Sequence, residues 1–111
     1  MFDAKYEPLF VEERTVRAIN DFWEFFVINE KRIIDALYHY KKEVMNEFEL
    51  MFNKIFFRAK KKLRFQFQKI DDAIHFTFFY GHSSYLLTVG STLCEYKPKK
   101  LLNKWIFNVE K

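Results

Sequence analysis

The hydrophobic pattern of this chain changes its period near Lys60–Lys62, and that change limits the fold more than any other feature. Before it, bulky apolar residues recur every three or four positions, as they do on the buried side of an α-helix. After it, apolar and polar residues alternate, as they do in a strand with one buried face. Helices followed by strands predict an α+β domain in which a sheet packs against helices.

The helical half, residues 12–58, is predicted to contain two helices, about 12–38 and 42–58. An apolar stripe at helical spacing marks the first helix, with members at Val16, Ile19, Phe22, Trp23, Phe26 and Val27. A second stripe, shifted in phase, marks the other helix. The shift near Tyr38–Lys42 indicates a turn. Because no Gly or Pro stands there, one bent helix is the alternative.

Two strands around Asp71-Asp72 are predicted to form a β-hairpin. A two-residue turn at these aspartates would place Phe67 opposite Phe76. In that register the aromatic side chains of both strands, apart from Phe79, share one face, and this agreement favours the hairpin. The opposite face would be mostly polar and is a candidate surface for partner binding, with members at Arg64, Gln66, Gln68, His75, Thr77 and Phe79.

The segment after the hairpin is less sharply defined. Ser83 or Ser84 can cap a helix, and helical spacing predicts that helix over 84–96. Gly90 and nearby β-branched residues keep a strand open as the alternative.

A last alternation at Trp105, Phe107 and Val109 predicts a short final strand, which ends a sheet-containing half at 63–109. The predicted order is α-α-β-β-α-β, with a three-stranded, mostly antiparallel sheet packed on helices. The length is that of one domain, 1–111. Because three strands leave open edges, pairing of two copies along an edge is expected.

The net charge of +4 is unevenly distributed along the chain. Residues 1–53 carry seven Lys or Arg against eleven Asp or Glu, whereas residues 54–111 carry twelve against four. The two halves can therefore attract each other, within one molecule or between two, and the basic half can attract an anionic partner.

Composition excludes several classes of protein. Two Gly are too few for the glycine-rich loops that cradle phosphates or dinucleotides, and no cofactor is predicted. The lone Cys94 cannot form an internal disulfide, which indicates a reducing compartment. Met1–Lys5 lacks the pattern of a signal peptide, and no apolar run is long enough for a membrane span. The sequence thus predicts a cytoplasmic protein without a membrane segment.

No catalytic or metal site is predicted. His82, Ser83 and an aspartate of the hairpin turn invite comparison with a hydrolase triad, but the local signatures of a nucleophile and an oxyanion hole are missing. A loop histidine beside a helix-capping serine is favoured instead. The three histidines and Cys94 are not paired at the spacing of metal ligands.

Two further groups are candidate sites. Asn29-Glu30 is either a recognition pair or, as favoured here, a pair that anchors its helix to a neighbour, since one carboxylate without a partner offers little acid–base chemistry. Lys60, Lys61 and Lys62 are candidate anion-binding residues within a basic segment, 54–69. Interleaved phenylalanines resemble the stacking platforms of single-strand binders. However, alternation assigns Phe65 and Phe67 to the core, and lysines also suit a helix C-terminus.

Phe22-Trp23, Phe25-Phe26 and Asn29-Glu30 together form a helical signature. It resembles that of a group of small uncharacterised bacterial proteins, in which Phe-Trp is followed by an aromatic pair and Asn-Glu. The resemblance covers roughly residues 20–109 and includes the strand Leu63–Phe67, although Phe25 stands where that family usually has Trp. It implies the fold and no established activity.

The sequence therefore predicts a non-enzymatic domain that binds another protein and forms a homo-oligomer. A toxin-neutralising or inhibitor-type protein is the subclass that fits its size and its lack of catalytic apparatus. The alternative is a nucleic-acid-binding protein that uses the basic segment 54–69 and the polar sheet face.

Overall fold

The computed structural model describes residues 11–111, so the first ten residues of the predicted domain lie outside it. The α+β class predicted from the sequence is confirmed. In the described part of the chain, the elements are α1 (Glu13–Ile28), α2 (Glu30–His39), α3 (Lys42–Ile55), β1 (Arg64–Ile70), β2 (Ala73–Phe79), α4 (Ser84–Glu95), a short 3₁₀ helix (Lys99–Asn103) and β3 (Trp105–Glu110).

The predicted first helix, 12–38, is broken at Asn29, so three helices rather than two precede the sheet. The side-chain amide of Asn29 donates to the Phe25 carbonyl at 2.9 Å, and the Asn29 backbone N–H donates to the same oxygen. Asparagine competes with the helix in this way because its side chain offers the backbone an alternative hydrogen bond. The ψ angle of 18° at Asn29 then separates α1 from α2.

A turn separates α2 from α3. The chain therefore forms separate helices before and after Tyr40 and Lys41, and the alternative of one bent helix is wrong. Tyr40 adopts a left-handed conformation with φ 53°, and its N–H donates to the Ala36 carbonyl. A left-handed residue usually ends a helix in this manner, although glycine is the common choice. The predicted helix 42–58 begins at Lys42 and ends earlier than expected, at Ile55.

The predicted hairpin and its register are confirmed. β1 pairs antiparallel with β2, and Phe65 lies opposite Phe78 as Phe67 does opposite Phe76. The turn has no glycine, and Asp71 supplies the left-handed conformation with φ 56°. Aspartate tolerates this region better than most residues.

The prediction of a mostly antiparallel sheet is wrong, because β3 pairs parallel with β2 in the order β1-β2-β3. The reason is the intervening helix. The helix predicted over 84–96 is present as α4, and Ser83 caps it by accepting a hydrogen bond from the Leu86 N–H at 3.1 Å. A strand that returns through a helical crossover re-enters the sheet beside and parallel to the strand it left.

An aromatic core fills the space between the helices and one face of the sheet, here called the inner face. Phe26 of α1 and Phe48 of α3 both contact Phe76 of β2, with ring centroids 6.2 and 5.6 Å apart. Such pairs add about 0.5–1.5 kcal/mol each beyond the area they bury. Most of the bulky apolar residues of the three strands lie on the inner face, namely Phe65, Phe67, Ile74, Phe76, Phe78, Trp105, Phe107 and Val109.

The remaining helices also lie against the inner face. Trp23 donates its indole N–H to the Leu93 carbonyl at 2.9 Å, which joins α1 to α4. A Cβ atom placed on Gly90 of α4 would lie 3.7 Å from a methyl group of Val109. Because the helices share one face, none of the elements described above covers the other face of the sheet.

Candidate interaction surfaces

The uncovered side of the sheet, here called the outer face, carries three rows of side chains. Each row runs across the sheet and contains one residue from each strand. The antiparallel and parallel registers together align them across the sheet. The rows are Arg64–Phe79–Glu110, Gln66–Thr77–Asn108 and Gln68–His75–Ile106. All six residues predicted from the hairpin pattern therefore share this face. The three β3 residues were missed because the sequence did not reveal that β3 lies beside β2.

The outer face is polar and only partly open. Thr77, at its centre, is only 6% exposed, whereas Ile106 at its margin is 42% exposed. The guanidinium of Arg64 lies 5.5 Å from the centroid of the Phe79 ring, which is a cation–π contact. A contact of this kind at the surface contributes about 0.5–1 kcal/mol and holds the aromatic ring against the sheet.

The free edge of β1 presents unpaired backbone groups. The backbone N–H of Ile74 donates to the Lys104 carbonyl at 2.7 Å. Every second residue of β2, beginning with Ile74, therefore forms its backbone hydrogen bonds with β3. The other residues of β2 form their backbone hydrogen bonds with β1. In the observed register, their partners are the even-numbered residues of β1. Phe65, Phe67 and Lys69 therefore direct their backbone N–H and C=O groups away from β2, and no strand in the described part of the chain pairs with them.

A groove of about 570 Å³ runs beside this edge, between β1 and the helices α2 and α3. It is called the β1 groove here. Its walls are largely apolar, and its main contributors are Leu37, Tyr38, Tyr40, Met45, Phe65 and Phe67. The groove was not anticipated from the sequence, although an exposed aromatic pair at a helix end, Tyr38 and Tyr40, was a signal for it.

Charged side chains sit at the rim of the β1 groove. The Lys69 ammonium lies 5.1 Å from the Tyr38 ring centroid, and hydrogen bonding to the Tyr38 hydroxyl raises the pKa of Lys69. The Lys41 ammonium lies 2.6 Å from an Asp35 carboxylate oxygen, and this hydrogen bond lowers the pKa of Asp35. Lys69 therefore remains cationic at neutral pH and makes its side of the rim positive, whereas the charge of Lys41 is paired with that of Asp35.

Asn29 and Glu30 take structural positions in the fold. Asn29 ends α1, as described above, and its side-chain oxygen also accepts a hydrogen bond from Arg32 Nε at 3.3 Å. Glu30 begins α2 and accepts a hydrogen bond of 2.9 Å from the indole N–H of Trp105. Both arrangements agree with the anchoring role favoured for this pair from the sequence.

The basic segment 54–69 is divided between several surroundings. Lys60, Lys61 and Lys62 lie exposed in the loop between α3 and β1. The interleaved phenylalanines do not form a platform for bases, since Phe56 is buried and Phe65 packs against the ring of Phe52 with centroids 5.0 Å apart. Phe56, Phe65 and Phe67 thus belong to the core, whereas Phe57 lies half-buried against the guanidiniums of Arg14 and Arg58.

The residues of the weighed hydrolase triad are far apart. Asp71 and Asp72 lie at the hairpin turn, before β2, while His82 and Ser83 follow the other end of that strand. Seven residues of strand span about 23 Å. Ser83 is also engaged as the cap of α4.

The geometry supports neither a metal site nor a reactive cysteine in the described part of the chain. Across residues 11–111, no three His, Cys, Asp or Glu side chains are grouped as a metal site would require. Burial raises the pKa of the Cys94 thiol to about 11, so it is not a nucleophile at neutral pH. Over the same residues, no helix is both long and apolar enough to cross a membrane.

Comparison of the chain with protein families, with curated proteins and with solved structures finds no match. The resemblance to a bacterial family therefore stays a prediction.

Proposed function

We propose that this chain is a protein-binding domain that pairs an extended strand of its partner with the free edge of β1. The observation that carries the proposal is the row of outward-directed backbone groups at Phe65, Phe67 and Lys69, which lies beside the β1 groove. Strand addition to an open sheet edge is a common mode of peptide recognition, in which main-chain hydrogen bonds supply affinity and pockets supply specificity.

The two sides of the added strand would meet different surroundings. Side chains on one side would enter the β1 groove, where apolar residues fit between Phe67 and Met45. Side chains on the other side would lie next to Gln66 and Gln68 on the outer face, where polar residues fit. The positive charge of Lys69 favours an acidic residue at the margin of the groove.

The first partner that the edge suits is β1 of a second copy. A two-fold axis through Phe67 would place Phe65 opposite Lys69 of the partner subunit and Gln66 opposite Gln68 of the partner subunit. No like charges would then face each other, and each lysine would face an aromatic ring. The outward groups of Phe65, Phe67 and Lys69 would all find partners, because the hydrogen-bonded positions of an antiparallel ladder coincide.

Such a dimer would join two three-stranded sheets into one of six strands and would remove two of the open edges. The outer faces would become continuous across the axis. A toxin-neutralising or inhibitor-type role, in which a foreign strand replaces the second copy, is a subclass of the same binding mode.

Amide hydrogen exchange combined with sedimentation equilibrium tests the proposal directly. The backbone N–H groups of Phe65, Phe67 and Lys69 have no acceptor on β2, so they should exchange rapidly in a monomer. Protection of these three amides that increases with protein concentration, together with a dimeric mass, is the expected result.

A matched pair of variants isolates the edge. Lys69→Pro removes an outward N–H without removing a bond to β2, because proline is tolerated at a strand edge. Lys69→Thr loses the same side chain but keeps the N–H. The dimer should dissociate at least about tenfold more readily in the proline variant than in the threonine variant, since two backbone hydrogen bonds are lost across the axis. A monomer at every concentration, with no protein retained from a host extract, would refute strand pairing.

A further inference from the structure

A second cavity lies at the end of the sheet remote from the hairpin turn. It has a volume of about 590 Å³, which is in the range of small-molecule sites. The loop between α3 and β1, the end of β2 and the start of α4 form its walls. Positive side chains dominate the lining, namely Arg58, Lys60, Lys61, Lys62, Arg64 and Lys111. This feature is called the cationic cavity below.

The positive charge of the cationic cavity is only partly neutralised. Arg58 is paired with Glu12, and the Lys62 ammonium lies 3.4 Å from Glu49. Lys60 and Lys61 contact no carboxylate within residues 11–111, and no acidic residue of that range lines the cavity. A cleft lined by charge of one sign concentrates its potential and attracts the opposite charge.

Arg64 is also without a carboxylate partner in the described part of the chain, and it is held over the Phe79 ring instead. Its guanidinium can therefore turn toward an anion without breaking an ion pair. Guanidinium and ammonium groups are the usual partners of phosphate, with arginine binding two oxygens at once and lysine acting as a point charge.

Aromatic side chains form the other part of the lining. Phe79, Tyr80 and Tyr85 all border the cationic cavity. The Tyr85 hydroxyl accepts a hydrogen bond of 3.2 Å from the Arg58 backbone N–H, which fixes the ring in place. Partial burial raises the pKa of Tyr85, so the hydroxyl stays uncharged and does not repel an anion. Flat rings beside unpaired cations suit a ligand that has both a phosphate and an aromatic base.

We propose that the cationic cavity binds the phosphate of a nucleotide, either free or at the end of a polynucleotide strand. Lys60, Lys61 and Arg64 contact the phosphate, and the base lies against Tyr80 or Tyr85. This site shares no lining residue with the β1 groove. Its occupation does not require strand pairing, so the two proposals stand or fall independently.

Isothermal titration calorimetry at low ionic strength tests the site, with ATP, AMP, inorganic phosphate and adenosine as probes. ATP and AMP should bind, adenosine should bind at least about tenfold more weakly because it lacks the charge, and affinity should fall as salt is added. A 5′-phosphorylated oligonucleotide and the same oligonucleotide with a 5′-hydroxyl distinguish a free nucleotide from a strand end.

Two pairs of lysines provide matched variants. Lys60→Gln with Lys61→Gln removes two charges from the cationic cavity, while Lys99→Gln with Lys100→Gln removes two exposed charges from the 3₁₀ helix, which does not line it. The first pair should weaken ATP binding about tenfold or more, and the second less than about twofold. Amide shifts on titration with ATP should centre on residues 60–64 and 80–85, which contain most of the cavity lining.

Several results would overturn the site. The proposal fails if no phosphate compound binds at low ionic strength, or if the two lysine pairs reduce affinity equally, since only net charge would then matter. It also fails if the oligonucleotide binds equally well with and without its terminal phosphate while ATP does not bind, because the strand backbone would then be the ligand. Shifts centred on Gln68, His75 and Ile106, which lie on the outer face and do not line the cavity, would exclude the site as well.

Discussion

The indole Nε1 of Trp105 donates a hydrogen bond of 2.9 Å to Glu30 Oε2, and this contact joins the first residue of β3 to the first residue of α2. Trp105 is 1% exposed, and its ring packs edge-on against Phe26 at 4.7 Å. The carboxylate of the Asn-Glu pair thus satisfies a buried donor that the aromatic core cannot satisfy. Glu30 also places a negative charge at the start of a helix, which the helix dipole favours.

Glu30→Ala should destabilise the fold by about 1–3 kcal/mol, because it leaves the buried indole N–H of Trp105 without an acceptor. Glu30→Gln keeps an acceptor oxygen in the same place and should lower the free energy of unfolding by less than Glu30→Ala does. Urea denaturation monitored by tryptophan fluorescence measures both.

Glu24→Ala is the control for this pair, since Glu24 is exposed on α1 and the same charge is removed without loss of a buried partner. Glu24→Ala should change the free energy of unfolding by no more than about 0.5 kcal/mol. If Glu30→Ala proves no more harmful than Glu24→Ala, the contact to Trp105 does not contribute to stability.

The fold could be predicted from the sequence wherever a local pattern determined it. The hairpin register followed from alternation alone, because a slip of one residue would have moved Phe67 and Phe76 to opposite faces. The direction of β3 could not be predicted in this way. Alternation at Trp105 is the same in a parallel and an antiparallel strand, and the direction depends on the length and helicity of the crossover.

Of the candidate sites, the outer face could be predicted from the sequence, whereas the β1 groove and the cationic cavity could not. Gln66 and Thr77 share the outer face, as the hairpin required, but the β1 groove depends on where α2 ends. Tyr40 ends that helix in a left-handed conformation that propensity would not assign to tyrosine. The cationic cavity gathers Lys60 and Tyr85, which are remote in sequence, and no one-dimensional pattern brings them together.

Tyr40→Gly should be more stable than Tyr40→Ala by about 1 kcal/mol. The reason is that only glycine adopts the left-handed region without crowding of its Cβ atom. Tyr40 is 90% exposed, so both variants lose similarly little packing. Thermal and urea denaturation of the two variants give the comparison. Equal stabilities would mean that the chain leaves α2 by another conformation than φ 53°.

Cys94 should react with a thiol reagent on the order of a hundredfold more slowly at pH 8 than an ordinary cysteine. Burial raises its pKa to about 11, and the thiolate is the reactive form, so the reactive fraction grows only as the pH rises toward that value. Absorbance kinetics with a disulfide reagent measure the rate. Since the chain has one cysteine, the same protein in guanidinium is the control, and rapid modification of the folded protein at pH 8 would contradict the assignment.

The two glycines should respond in opposite directions to substitution by alanine. Gly90 lies inside α4, and a Cβ atom there would meet Val109 at an ordinary contact distance of 3.7 Å. Gly90→Ala should therefore stabilise the protein by about 0.5–1 kcal/mol through helix propensity. Gly81 has open space around it but a φ of 59°, so Gly81→Ala should destabilise by about 1 kcal/mol through backbone strain alone. Urea denaturation of both variants decides the matter, and a loss of stability in Gly90→Ala would show that α4 packs against β3 more tightly than this distance allows.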